Sequence, residues 1–126
     1  MKFELFTLCD GAYNYNGRLT IVGTYDNVLA KSFPWKTDLV FAMKLFVPKS
    51  ETGKKKISLK FLNTVGNNFA ADINAQVDIP KSETNGHIAF SSVLRGVSFD
   101  KPGTYVIRIE ENDKKLKEFA FDVMQG

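Results

Sequence analysis

From Asn68 to Ile79 the chain alternates with a period of two. Phe69, Ala71, Ile73, Ala75, Val77 and Ile79 fall on one side. Asn68, Asp72, Asn74, Gln76 and Asp78 fall on the other, with Ala70 out of pattern. Such alternation predicts a strand with one buried and one wet face. Ile57, Leu59 and Phe61 alternate with Ser58 and Lys60 in the same way. Leu39, Phe41, Met43, Leu45 and Val47 share one face of a further strand, whose other face carries Val40, Ala42 and Phe46. That strand is expected to be central and covered on both sides. No segment has a helical period.

Turn chemistry separates these runs. Asn16-Gly17 is a strong two-residue hairpin signal. Further turns are expected at Pro48 to Gly53, Asn63 to Asn67, Pro80 to Gly86, Pro102-Gly103 and Asn112-Asp113. The pattern predicts about eight strands, near 2–9, 18–30, 38–47, 55–62, 68–79, 87–99, 104–111 and 115–124, the second with a possible break near Gly23. Strands at this spacing point to an all-β, two-sheet antiparallel sandwich, with residues 1–126 forming one domain. Two breaks in parity predict bulges. Ile88, Phe90 and Leu94 are even but Val97 and Phe99 are odd, and Arg95-Gly96 sits at the switch. Leu116 is even while Phe119, Phe121 and Val123 are odd, so the ladder should slip near Lys117.

Asp100-Lys101-Pro102-Gly103-Thr104-Tyr105-Val106-Ile107 resembles the turn into strand F of immunoglobulin-like sandwiches. There a tyrosine hydroxyl bonds back to the backbone, two residues before a core position that is cysteine in antibody domains. Tyr105 would be that tyrosine and Ile107 would take the cysteine position, with no matching disulfide. A wider resemblance runs through Leu8-Cys9-Asp10, Gly17-Arg18-Leu19-Thr20-Ile21-Val22-Gly23, Phe33-Pro34 and Pro102-Gly103-Thr104-Tyr105. These segments look like an uncharacterised bacterial family of small immunoglobulin-like β-sandwich proteins. The resemblance implies a fold and transfers no site residues.

Composition narrows the function classes. Eleven phenylalanines can fill a sizeable core. The net charge of +3 is small and spread along the chain, and arginine occurs only at 18, 95 and 108, so nucleic acid is not an expected partner. Cys9 is the single cysteine, which leaves no internal disulfide and makes the cytoplasm the default location. The start of the chain does not read as a signal peptide, because Glu4 interrupts a short apolar run. No stretch approaches the roughly 20 apolar residues of a membrane helix, so no membrane partner is expected.

Candidate chemistry is sparse. Cys9 and His87 could form a nucleophilic pair only if the fold joined the first and sixth strands there. One cysteine and one histidine do not make a zinc site without distant carboxylates. Asp72 and Asp78 lie about 20 Å apart along one strand face. No catalytic residue, metal ligand or cofactor site is expected, and an enzyme ranks last.

Two features remain. Pro48-Lys49-Ser50-Glu51-Thr52-Gly53 recurs as Pro80-Lys81-Ser82-Glu83-Thr84-Asn85-Gly86. If the intervening strands each cross the sandwich once, both loops sit at one end, with Glu111 to Lys115 and Asp10 to Gly17. Lys49, Lys54, Lys55, Lys56, Lys81, Lys114 and Lys115 would then gather there and could attract an acidic partner; lysines also serve simply to blunt strand ends. Phe33-Pro34-Trp35 would lie at the opposite end. Trp35 could stack on a sugar or anchor a protein, or Phe33 and Trp35 could plug the core. The leading expectation is a non-catalytic protein that contacts another protein or itself. The alternative is a carbohydrate- or small-ligand-binding module built on Trp35.

Overall fold

A computed structural model describes residues 1–126. Every expected run is a strand, and no helix is long and apolar enough to cross a membrane. There are nine strands: β1 (Lys2–Tyr15), β2 (Arg18–Tyr25), β3 (Asn27–Ala30), β4 (Trp35–Val47), β5 (Gly53–Leu62), β6 (Asn68–Ile79), β7 (Gly86–Phe99), β8 (Gly103–Glu111) and β9 (Lys114–Gln125). They form two sheets, in the orders β2-β1-β4-β7 and β3-β9-β8-β5-β6. The fold is an all-β sandwich of two sheets.

The count exceeds the expected eight because the run 18–30 splits. The break falls at Asp26 rather than Gly23, and the chain crosses there from one sheet to the other. β3 arrives running in the same direction as β9 and pairs with it in parallel, against the expectation of wholly antiparallel sheets. The Asp122 N–H donates to the Asp26 carbonyl at 3.1 Å and the Gly126 N–H to that of Ala30 at 2.8 Å, fixing the crossing at both ends.

Alternation sends Phe41, Phe61, Phe99, Tyr105, Ile107, Ile109 and Phe121 into a fully buried core. Phe69 packs with Phe99, Tyr105 and Phe121, at centroid distances of 5.3, 5.4 and 6.2 Å. Each such pair adds roughly 0.5–1.5 kcal/mol beyond its buried area. The Tyr105 hydroxyl donates to the Lys101 carbonyl at 2.7 Å, which forms the expected tyrosine corner.

Both parity breaks are present. The β4–β7 register shifts between Thr37 and Leu39, opposite Gly96, whose N–H donates to Asp38 Oδ1 at 2.8 Å. The β8–β9 register shifts after Ile109, so Leu116 still packs against the core. A further expectation fails: Ala71 is exposed, because two register shifts against Leu59–Leu62 turn this part of β6 outward.

The cover on the second face of β4 comes from β1 and β2. β1 pairs with β4 only as far as Cys9 opposite Val40, yet it continues to Tyr15 paired with β2. Extended straight, Asn14 would lie about 16 Å beyond Val40. Instead its side-chain amide donates to the carbonyl of Ala89 on the edge strand β7, opposite Lys44 of β4. The β1–β2 hairpin therefore doubles back over the outer face. Ala42 and Cys9 are buried beneath it at 0% and 1% exposure, yet neither belongs to the core between the sheets.

Candidate functional site

The hairpin has two unlike faces. Asn16 and Gly17 close it with φ of 50° and 77°, the left-handed pair that a two-residue turn requires. This fixes the register at Tyr15 opposite Arg18, Tyr13 opposite Thr20 and Gly11 opposite Val22. Ala12, Leu19 and Ile21 then lie half-buried on the underside. Tyr13, Tyr15 and Val22 face solvent at 73%, 75% and 56% exposure. At the bend, Gly23 has φ of 68°, and a Cβ there would lie 2.2 Å from Asp10 Oδ2. A side chain there would force the Asp10 carboxylate to turn aside and would still crowd its Cβ.

This face was not singled out from the sequence, although a signal existed. The Asn16-Gly17 turn sets the register, and the register puts both tyrosines on the opposite side from Ala12, Leu19 and Ile21.

The two repeated loops do meet at one end. The Lys49 N–H donates to Asn85 Oδ1 at 3.0 Å. Between the loops lies a hollow of about 260 Å³, lined by Lys49 but also by Glu51, Asp78 and His87. Lys54 and Lys81 are exposed. Lys55 Nζ lies 3.7 Å from Glu111 Oε2, and Lys56 Nζ lies 2.8 Å from Asp113 Oδ1. The hydrogen bond between Lys56 and Asp113 raises the lysine pKa and lowers that of the carboxyl. The amino group of Met1 pairs with Glu51 and Glu111. The lysines are thus interleaved with acids, and the field they could present to an acidic partner is reduced.

At the other end Phe33 and Trp35 are half-buried and pack against the core, and Trp35 is opposite Phe99 in the sheet. The hollow there, about 460 Å³, is lined by Asn63, Thr64, Asn68, Asp100, Lys101 and Tyr105 among others, and by neither Phe33 nor Trp35.

Cys9 and His87 are not brought together. Cys9 is opposite Val40 and His87 opposite Phe46, about 20 Å along β4. Burial pushes the Cys9 thiol above its ordinary pKa, and the neighbouring Asp10 pushes the same way against a backbone hydrogen bond from Gly11. His87 Nε2 lies 3.1 Å from Glu4 Oε2 instead.

A family model matches residues 4–124. The chain belongs to the family of unknown function DUF6941. A search of curated proteins found no match. Among solved structures, the chain is similar to the alkylpurine DNA glycosylase AlkC of Pseudomonas fluorescens, solved bound to DNA containing an abasic-site analogue. The identity is 12% and the TM-score 0.44, over 98% of this chain and 30% of the glycosylase. The chain therefore spans less than a third of that protein's length. It is also similar to an immunoglobulin-like protein of Pseudomonas aeruginosa, with 14% identity and a TM-score of 0.39, over 97% of this chain and 94% of that one.

Proposed function

We propose that this is a non-catalytic, cytoplasmic protein-interaction module, and that the outer face of the β1–β2 hairpin is its contact surface. The observation that carries this reading is the exposure of Tyr13, Tyr15 and Val22 together on one face of a ribbon clamped to the sheet. Tyrosine is enriched at interface hot spots, since it offers large contact area with little rotamer entropy to lose. Fixing the ribbon beforehand lowers the ordering cost of binding.

The carbohydrate alternative has less support. Trp35 packs against the core, and the nearby hollow is lined by other residues.

The test compares proteins retained from a native extract by the immobilised wild type and by Tyr13→Ser/Tyr15→Ser. Both side chains are largely exposed, so the double variant should fold. A partner retained by the wild type and lost by the variant supports the reading. Equal retention by both proteins contradicts it.

A further inference from the structure

Four strands end a sheet: β2 and β7 in one, β3 and β6 in the other. An unpaired edge is a template for another strand unless something blunts it. β3 has only four residues. β2 is bent at Gly23 and crosses between sheets directly after Tyr25. β7 is bulged at Gly96, and Asn14 occupies its Ala89 carbonyl. From Ile73 to Ile79, β6 carries no lysine, no proline and no register shift.

We propose that the free edge of β6 is a docking site for an extended protein segment in which apolar residues alternate with lysine or arginine. This surface is separate from the hairpin face and does not depend on it. Three observations define the occupant. First, an apolar gap of about 70 Å³ lies between the sheets on the β6–β7 side, lined by the half-buried Ile73, Ala75 and Val77 of β6 and Ile88 and Phe90 of β7, above the buried Met43, Ile57 and Leu59. The inward side chains of an added strand would fill it. Second, the outward face of β6 carries Asp72 and Asp78 and no basic residue. Neither carboxylate forms an ion pair, and Asp72 accepts a hydrogen bond only from Asn68, at 2.7 Å. An added strand with outward lysines would meet both charges. Third, the chain already supplies such a strand on the other side of β6. β5 alternates Ile57, Leu59 and Phe61 with Lys54, Lys56 and Lys60, and places Lys54 opposite Asp78. The free edge presents the same acids and the same apolar row to a second strand of that type. Backbone ladder bonds supply affinity and the alternating side chains supply selection, as in other strand additions.

The probe is a synthetic peptide copying residues 54–62, with a second peptide in which every lysine is glutamate. Each is titrated into the full chain while backbone amide shifts are followed by NMR. The expected result is saturable shifts confined to β6 and to the Gly86–Leu94 part of β7, with no binding of the glutamate peptide. Asp72→Asn/Asp78→Asn, a change of two exposed side chains, should weaken the lysine peptide about fivefold. Tyr13→Ser/Tyr15→Ser should bind it like the wild type, which separates this surface from the hairpin. The proposal is overturned if the lysine peptide does not bind, if both peptides bind equally, or if the shifts fall on β5 and β8, as strand exchange would give. It is also overturned if the β6 amides shift on dilution without peptide, which would mean that a second copy of the chain occupies the edge.

Discussion

The side-chain amide of Asn14 and the backbone carbonyl of Ala89, 75 residues later, are joined by a 2.8 Å hydrogen bond. This contact ties a hairpin that has bent away from its sheet back onto that sheet's far edge strand, β7. It is why Cys9 and Ala42 are buried on the outer face and why the two tyrosines stand on a fixed ribbon.

Asn14→Ala should therefore free the hairpin more than it destabilises the sandwich. The expected stability loss is about 0.5 kcal/mol, the low end of the net range for one hydrogen bond, because this one is exposed. The informative readout is local. Hydrogen exchange should accelerate at residues 11–22, and alkylation of Cys9 should become faster in native buffer. Unchanged exchange would mean that Leu19 and Ile21 hold the hairpin without Asn14.

Cys9 in the wild type should alkylate slowly at neutral pH. Its thiol is covered, and burial holds the pKa above the ordinary value, so little thiolate is present. Rapid modification by iodoacetamide would contradict the covered position.

Gly23→Ala should cost about 1–3 kcal/mol, the range for forcing a side chain into left-handed backbone. It also drives a methyl group into Asp10. Adding Asp10→Ala should recover most of the steric part, leaving the backbone part and a 3.1 Å contact with the remaining Cβ. Thermal melts of the single and double variants separate the two.

Tyr105→Phe removes the bond to Lys101 and leaves a carbonyl without its partner, at a cost of about 1 kcal/mol, or roughly 4 °C in Tm. The hydroxyl also has a pH signature. Burial raises the pKa of Tyr105, and of Tyr25, above the ordinary tyrosine value of 10.0. The folded state then holds these protons more tightly than the unfolded chain does. Their contribution is fully present below about pH 10 and is lost as pH rises through the folded pKa values. Stability should fall on the alkaline side, less steeply in Tyr105→Phe than in the wild type.

Much of this fold was legible in the chain because alternation is a local property. The runs around Ile57–Phe61 and Leu39–Val47, the bulge at Arg95-Gly96 and the slip near Lys117 follow from parity alone. The corner at Tyr105 follows from Pro102-Gly103 two residues before it. Where β3 goes was not legible. Four residues carry too little pattern to reveal a change of sheet, and its parallel pairing depends on the distant strand β9. The return of the hairpin was hidden for a similar reason. Ala12, Leu19 and Ile21 form a narrow apolar face that is satisfied by a sheet surface as well as by a core. The lysine-rich end was located correctly as a meeting of loops, but its charge was not, because Glu111 and Asp113 offset Lys55 and Lys56 through side-chain geometry.

The central claim is that the tyrosine face of the hairpin is where this protein meets another. The most direct measurement is quantitative retention of native-extract proteins on immobilised wild type, on Tyr13→Ser/Tyr15→Ser and on Asp72→Asn/Asp78→Asn. The account predicts at least one protein whose recovery falls about tenfold or more with the tyrosine variant and is unchanged with the aspartate variant. Identical profiles from the wild type and the tyrosine variant would contradict it.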